Sequence, residues 1–256
     1  MKAKILTFDL ETAPNLAYVW GAWKQNVSLT QTVGKGYLLS FAAKWLHSDE
    51  IIYEENRTDN DKDLVQKMIN LMDEADIVVA HNGNKFDIPT VNARAAVHGI
   101  DPPSPYKSVD TLAVAKRYFR FTQNTLAYLT NAFGVTEKLK HKKFPGWELW
   151  VECLKHNDEA WKEMKEYNIQ DVISLEELYL RMRPWISNHP NIGVFDELEV
   201  PVCPKCGGKH VHYRGYYNTN VGKYRKFQCQ DCKGWGRERF TEYPRHLSRK
   251  LITNAA

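Results

Sequence analysis

An α/β fold built on a mixed sheet follows from three observations. Short β-prone runs come first, at Lys4–Phe8, Tyr37–Leu46 and Ile51–Glu54. Helical and strand periods then alternate between Asp61 and Met182. One run, Ile77–Ala80 (IVVA), is apolar at every position, as a strand covered on both faces must be. Two Cys-x-x-Cys pairs beyond residue 200 add a small second unit.

Each element has its own signal. Lys4–Phe8 (KILTF) reads as the first strand, and the next two are joined by a polar turn at His47–Glu50. Asp61–Glu74 places Leu64, Val65, Met68, Ile69 and Met72 at helical spacing. Pro89–His98 reads as a helix, and Ser108–Asp110 as a short strand leading into another helix from Thr111. Further helices are predicted over Asn124–Phe133 and from about Asn157 to Met182. Ala13–Gly36, with Trp20 and Trp23, reads as a loop or a lid over the site.

Composition excludes several classes. The chain has 256 residues, 43% hydrophobic, 26% charged and 12% aromatic, so disorder is not its main state. It lacks the stretch of about 18 apolar residues that a membrane-spanning helix needs. The start, MKAKILTFDLET, turns acidic before a signal-peptide core can form, which predicts a cytoplasmic protein, or one of the host cytoplasm if the source is a virus or mobile element. The net charge of +4 is an average of two unlike parts. Residues 201–256 hold 12 Lys/Arg against 3 Asp/Glu, a net of +9, and the remainder carries −5. Basic residues interleaved with Tyr213, Tyr216, Tyr217, Tyr224, Phe227 and Trp235 form a nucleic-acid-binding composition.

Acidic residues gather in three places. Asp9 and Glu11 sit two apart at the end of the first strand, so both carboxylates share a face while Leu10 points into the core. Carboxylates held together raise each other's pKa, a conflict that a divalent cation removes. Asp87 closes the loop His81-Asn82-Gly83-Asn84-Lys85-Phe86-Asp87 after the buried strand, where open α/β sheets bind ligands. Just ahead of Pro89, it also suits a helix N-cap. Tyr167 and Asp171, at i and i+4 on the long helix, project together. A second Tyr-x-x-x-Asp, Tyr106 to Asp110, follows three prolines and reads as extended, with Asp110 structural.

The cysteines number five. Cys203 and Cys206 form one knuckle, Cys229 and Cys232 another, and four thiolates complete one tetrahedral structural Zn²⁺ site. His210 and His212 are then surface groups, and Cys153 is a small, partly buried hydrophobe.

Phe8-Asp9-Leu10-Glu11-Thr12, the Asn82–Asp87 loop and Tyr167-x-x-x-Asp171 together resemble the DnaQ-like 3′–5′ exonuclease superfamily, a branch of the ribonuclease H-like fold, in its DEDDy subclass. The phrase IVVAHNGNKFDIPTV is also similar to family B polymerase exonuclease domains and YprB-like proteins. The resemblance covers about residues 3–185 and implies a mixed five-stranded sheet flanked by helices. It implies catalytic Asp9, Glu11, Asp87, Tyr167 and Asp171, the four carboxylates holding two Mg²⁺ or Mn²⁺. Thr12, Asn82 and Phe86 would meet the substrate strand. The segment from Cys203 to Phe240 looks like a transposase-type zinc ribbon, in which Lys223, Tyr224, Arg225, Lys226, Arg237 and Arg239 are candidate nucleic-acid contacts. The expected partition is residues 1–192 for the nuclease, 201–243 for the ribbon and 244–256 for a basic tail. The leading reading is a metal-dependent exonuclease acting on 3′ ends of single-stranded DNA or RNA, DNA slightly favoured, with no membrane partner. A catalytically silent nucleic-acid-binding adaptor, a structure-specific endonuclease and a protein-docking ribbon are the rivals.

Overall fold

β1 (Ile5–Thr12) is the axis of the larger sheet. The structure is a computed structural model describing residues 2–21, 23–136 and 143–253. Its two compact units are Lys4–Tyr179 and the stretch from Leu180 onward. In the first, β1 leads through a small hairpin, β2 (Leu16–Ala17) and β3 (Thr32–Gly34), into β4 (Leu38–Trp45) and β5 (Ile51–Glu55). β6 (Ile77–Ala80) and β7 (Lys107–Asp110) complete a mixed sheet of order β5-β4-β1-β6-β7. β4 and β5 run antiparallel to their neighbours, while β6 and β7 are parallel to β1.

β1 runs four residues past its predicted end at Phe8. Antiparallel β4 supplies partners from Leu6↔Trp45 to Thr12↔Leu38, so Asp9 and Glu11 stand within the strand. Parallel β6 stops sooner, after Thr7↔Val79, and leaves the far part of β1 unpaired on that side.

The helices are α1 (Lys62–Glu74), α2 (Asp87–His98), α3 (Thr111–Tyr118), α4 (Leu126–Phe133), α5 (Glu148–Leu154) and α6 (Asp158–Met182). α1 buries its predicted stripe of Leu64, Val65, Met68, Ile69 and Met72 against Leu6, Phe8, Phe41 and Val78 of the sheet. Each such side chain contributes about 1.5–3 kcal/mol. α4 starts at Leu126, two residues later than predicted, because the Thr125 hydroxyl accepts from the Tyr128 N–H and caps it. α5, only seven residues long, carries no periodic signal in the sequence. It packs Leu149 and Cys153 with Trp161 and Met164 of α6 in a second cluster. Cys153 is fully buried there, and burial pushes its thiol up to about 12.

In the second unit, β8 (Val211–Asn218), β9 (Lys223–Cys229) and β10 (Trp235–Arg237) form an antiparallel sheet of order β10-β9-β8 beside the cysteines. The Lys205 ammonium donates to the Pro184 carbonyl, and Ile192 N–H to the Pro204 carbonyl at 2.8 Å. A last helical turn, α7 (Arg245–Ser248), lies in the basic tail, whose final three residues fall outside the described residues.

Candidate active site

β1 and α6 bring three carboxylates together. Oxygens of Asp9, Glu11 and Asp171 all lie within 4.8 Å of one another. The i, i+2 alternation of the strand does as predicted: Asp9 and Glu11 share the face, and Leu10 joins the core. Hard oxygen donors at this spacing fit Mg²⁺ or Mn²⁺.

Two residues that the sequence did not single out hold two of the three carboxylates. Asn168 is fully buried on α6, and its Nδ2 donates to Asp9 Oδ2 at 3.0 Å and to the Asp9 carbonyl at 3.2 Å. Its Oδ1 accepts from Ser40 Oγ of β4 at 3.1 Å. Trp150 of α5 donates its indole N–H to Glu11 Oε2 at 3.0 Å. The same indole meets Tyr167 edge to face, at 5.9 Å between centroids. Tyr167 is buried one turn before Asp171, so helix packing and the acidic site meet in one side chain.

Asp87 is not among the three. It opens α2, whose N-cap is Phe86, so the capping role expected for Asp87 does not hold. Its Oδ1 instead accepts from Leu10 N–H at 3.2 Å, the strand donor that β6 stops too early to use. Burial pushes the Asp87 carboxyl up to about 7; the Leu10 N–H pulls it down, and the charge of Asp110 adds to the rise.

The 81–87 loop is held from below. Asp110 caps α3 through the Leu112 and Ala113 N–H groups and also accepts from the backbone of Asn82 and Asn84 at 3.0 and 3.2 Å. It is structural, as expected. His81 bridges Thr111 Oγ1 and the Asn124 carbonyl. Asn82 is left-handed at φ 66°, a conformation asparagine tolerates. Gly83 answers to packing: a Cβ there would stand 2.3 Å from that of Ala80. Phe86 is exposed at the start of α2.

A cleft of about 440 Å³ is lined by Thr12, Pro14, Gly146, Trp147 and Trp150. It thus shares with the acidic trio the Trp150 indole that holds Glu11. The 13–36 segment is the β2–β3 hairpin, and it exposes Trp20 and Trp23.

The cysteines form the second candidate metal centre. The four sulfurs lie within 4.8 Å of one another, with Cys203–Cys232 and Cys206–Cys229 both at 3.7 Å. A Zn–S length of about 2.3 Å gives tetrahedral sulfur–sulfur edges of about 3.8 Å, so the set fits one Zn²⁺. The two knuckles match each other. Gly207 and Lys233 are both left-handed, at φ 73° and 64°. The N–H groups of Gly208 and Gly234 donate to the sulfurs of Cys206 and Cys232, each at 3.4 Å. His210 is exposed and paired with Asp231 at 3.0 Å, away from a ligand role.

A DNA polymerase of Methanocaldococcus jannaschii is 31% identical over 136 residues, 44% of this chain and 8% of that protein. A family B DNA polymerase structure from Pyrobaculum calidifontis shares the fold with a TM-score of 0.52 at 14% identity, over 72% of this chain and 25% of that one. The chain therefore matches only a small part of either polymerase. A family model for the RNase_H superfamily matches residues 6–183, most of the chain and all of the carboxylate site. With its mixed sheet and acidic trio, the chain belongs to the RNase_H superfamily.

Proposed function

We propose that the chain is a metal-dependent 3′–5′ exonuclease of the DEDDy type that hydrolyses single-stranded nucleic acid, DNA slightly favoured over RNA. The observation that carries this reading is the convergence of Asp9, Glu11 and Asp171 within 4.8 Å, with Tyr167 one helical turn from Asp171. Asp9, Glu11 and Asp171 would hold two Mg²⁺ or Mn²⁺, and Asp87 would join them once its carboxylate turns from the Leu10 N–H. When bound, such ions stabilise charge on the attacking and leaving oxygens of a phosphodiester.

The chain's own residues do the positioning. Asn168 fixes the Asp9 carboxylate, and Trp150 fixes that of Glu11. Tyr167 orients the attacking water. With a reference pKa of about 10, a phenol is a poor base at neutral pH and a good hydrogen-bond partner. Thr12 and the cleft beside Trp150 take the terminal nucleotide, and Asn82 and Phe86 line the strand. The proposed partition is nuclease 1–192, zinc ribbon 201–243 and basic tail 244–256, the ribbon adding affinity for the substrate. The engagement of Asp87 with Leu10 favours one rival, a silent nucleic-acid-binding adaptor.

End-labelled strands separate the two. Single-stranded DNA and RNA, labelled at either end, are incubated with Mg²⁺, Mn²⁺ or EDTA, beside an Asp9→Ala/Glu11→Ala variant. Stepwise shortening from the 3′ end that EDTA and the variant both abolish is the expected result. An intact strand with every metal sinks the exonuclease reading and leaves the adaptor. Elemental analysis should find about one zinc per chain, lost in Cys229→Ser.

A further inference from the structure

The C-terminal sheet has one face whose charges are paired and one whose cations are not. Registry sorts its side chains: Tyr213 lies opposite Phe227 and Tyr216 opposite Arg225, while Tyr217 lies opposite Tyr224 and Arg237 opposite Lys226. Alternation along β9 therefore puts Lys223, Arg225 and Phe227 on one face and Tyr224 and Lys226 on the other. Ring contacts agree. Arg225 stacks on Tyr213 at 3.8 Å and Lys223 on Tyr216 at 4.0 Å. On the opposite face, Arg237 stacks on Tyr224 at 3.9 Å and Lys226 lies 5.7 Å from the Trp235 ring.

Among the described residues, the carboxylates that pair with a basic side chain of this sheet, Glu238 and Glu242, lie on the first face. Arg225 lies 3.8 Å from Glu238 and 3.7 Å from Glu242. Glu238 beside Tyr213 and Glu242 beside Tyr216 raise the two phenol pKa values. Two cations and two anions cancel there. Among the described residues, no ion pair involves Lys226 or Arg237. Tyr217 and Trp235 on their face are half exposed, at 52% and 48%.

We propose that the Tyr217–Tyr224–Lys226–Trp235–Arg237 face binds a single-stranded nucleic acid, and that the Lys223–Arg225 face does not. Uncancelled cations alternate with aromatic rings there, the pairing that holds phosphates and stacks bases without reading their sequence. Arg237 is already held flat on a tyrosine, so its guanidinium offers a second stacking plane. Trp235 sits opposite Gln228 and Tyr217 opposite Tyr224, four residues apart on β9, or about 13 Å. That span exceeds the 3.4 Å base step of a stacked helix several times over, so separate bases of an extended strand reach the two ends. The inference rests on the substrate-holding role proposed for the ribbon and is independent of catalysis.

The test uses full-length protein and a fluorescent oligothymidylate with a phosphorothioate backbone, without added divalent metal, so that cleavage plays no part. Two double variants remove the same charge: Lys226→Ala/Arg237→Ala and Lys223→Ala/Arg225→Ala. Anisotropy is read across a salt series, and zinc content is measured on each protein. The first variant should bind at least tenfold more weakly, with its log–log salt slope reduced by about 1.4, two phosphates at about 0.7 each. The second should change less than twofold. Should either shed zinc, Lys226→Gln and Arg225→Gln carry the same comparison. Equal weakening by both overturns the face assignment, and unchanged binding by both assigns the open face to a protein partner. A silent nuclease that still shows the asymmetry leaves this inference standing.

Discussion

Asn168→Ala removes three hydrogen bonds from a fully buried position: two to Asp9, at 3.0 and 3.2 Å, and one from Ser40 at 3.1 Å. A neutral bond contributes about 1 kcal/mol, and one to a charged carboxylate about 1.5–3. The loss is thus roughly 3.5–5 kcal/mol, set against the 5–15 typical of a whole domain. Ser40, buried as deeply, loses its acceptor at the same time. At about 2–4 °C per kcal/mol for a unit of this size, the melting midpoint falls by roughly 7–20 °C. Urea unfolding followed by tryptophan fluorescence reports it, because Trp20, Trp23, Trp45, Trp147, Trp150 and Trp161 all lie in the Lys4–Tyr179 unit. The midpoint should drop with little change in slope. A loss below about 1 kcal/mol would refute the claim that Asn168 braces the carboxylate site.

Other consequences follow from single contacts. Trp150→Phe keeps an aromatic ring beside Tyr167 but deletes the donor to Glu11, so nuclease turnover should fall about 10- to 100-fold and the melting midpoint by roughly 3–12 °C, from about 1.5–3 kcal/mol for one bond to a carboxylate; unchanged turnover would remove Trp150 from the site. Gly83→Ala forces a Cβ to within 2.3 Å of Ala80 and should cost about 1–3 kcal/mol, part of it recovered by adding Ala80→Gly; equal stability of both variants would contradict the packing account. Asp61 is fully buried; burial raises its pKa, but Arg94, the Leu38 N–H and His98 outweigh this and hold it below the usual value. A lowered folded pKa makes its stabilisation complete above the ordinary carboxylate range and lost as pH falls through the depressed value. Melting midpoints between pH 5 and 2 should therefore drop more steeply for the wild type than for Asp61→Asn; parallel curves would show that Asp61 does not drive acid unfolding.

The readable parts of the fold were those fixed by local periodicity. The α1 stripe, the all-apolar β6 and the Asp9/Glu11 alternation each need only their own residues to be recognised. The parts that escaped depend on distant partners. β1 outruns its apolar run because β4 pairs with it to Thr12, and Asp87 turns to Leu10 because β6 ends early. Trp150 lies on a seven-residue helix, too short for a periodic signal, although Leu149 and Cys153 at i and i+4 mark its buried side. Asn168 adjoins Tyr167 in the motif, yet only the fold shows that it reaches across to β1. Within the ribbon, alternation along β9 alone parts Lys223 and Arg225 from Tyr224 and Lys226, whereas Arg237 joins the latter only through its register with Lys226.

The central claim is that Asp9, Glu11 and Asp171 are metal ligands. Crystals grown with Mn²⁺, with anomalous data on either side of the manganese edge, measure it directly and separate manganese from zinc. A manganese peak about 2.1 Å from oxygens of all three carboxylates is the predicted result. Saturating Mn²⁺ with no peak at the trio, the cysteine site holding its zinc, would contradict it.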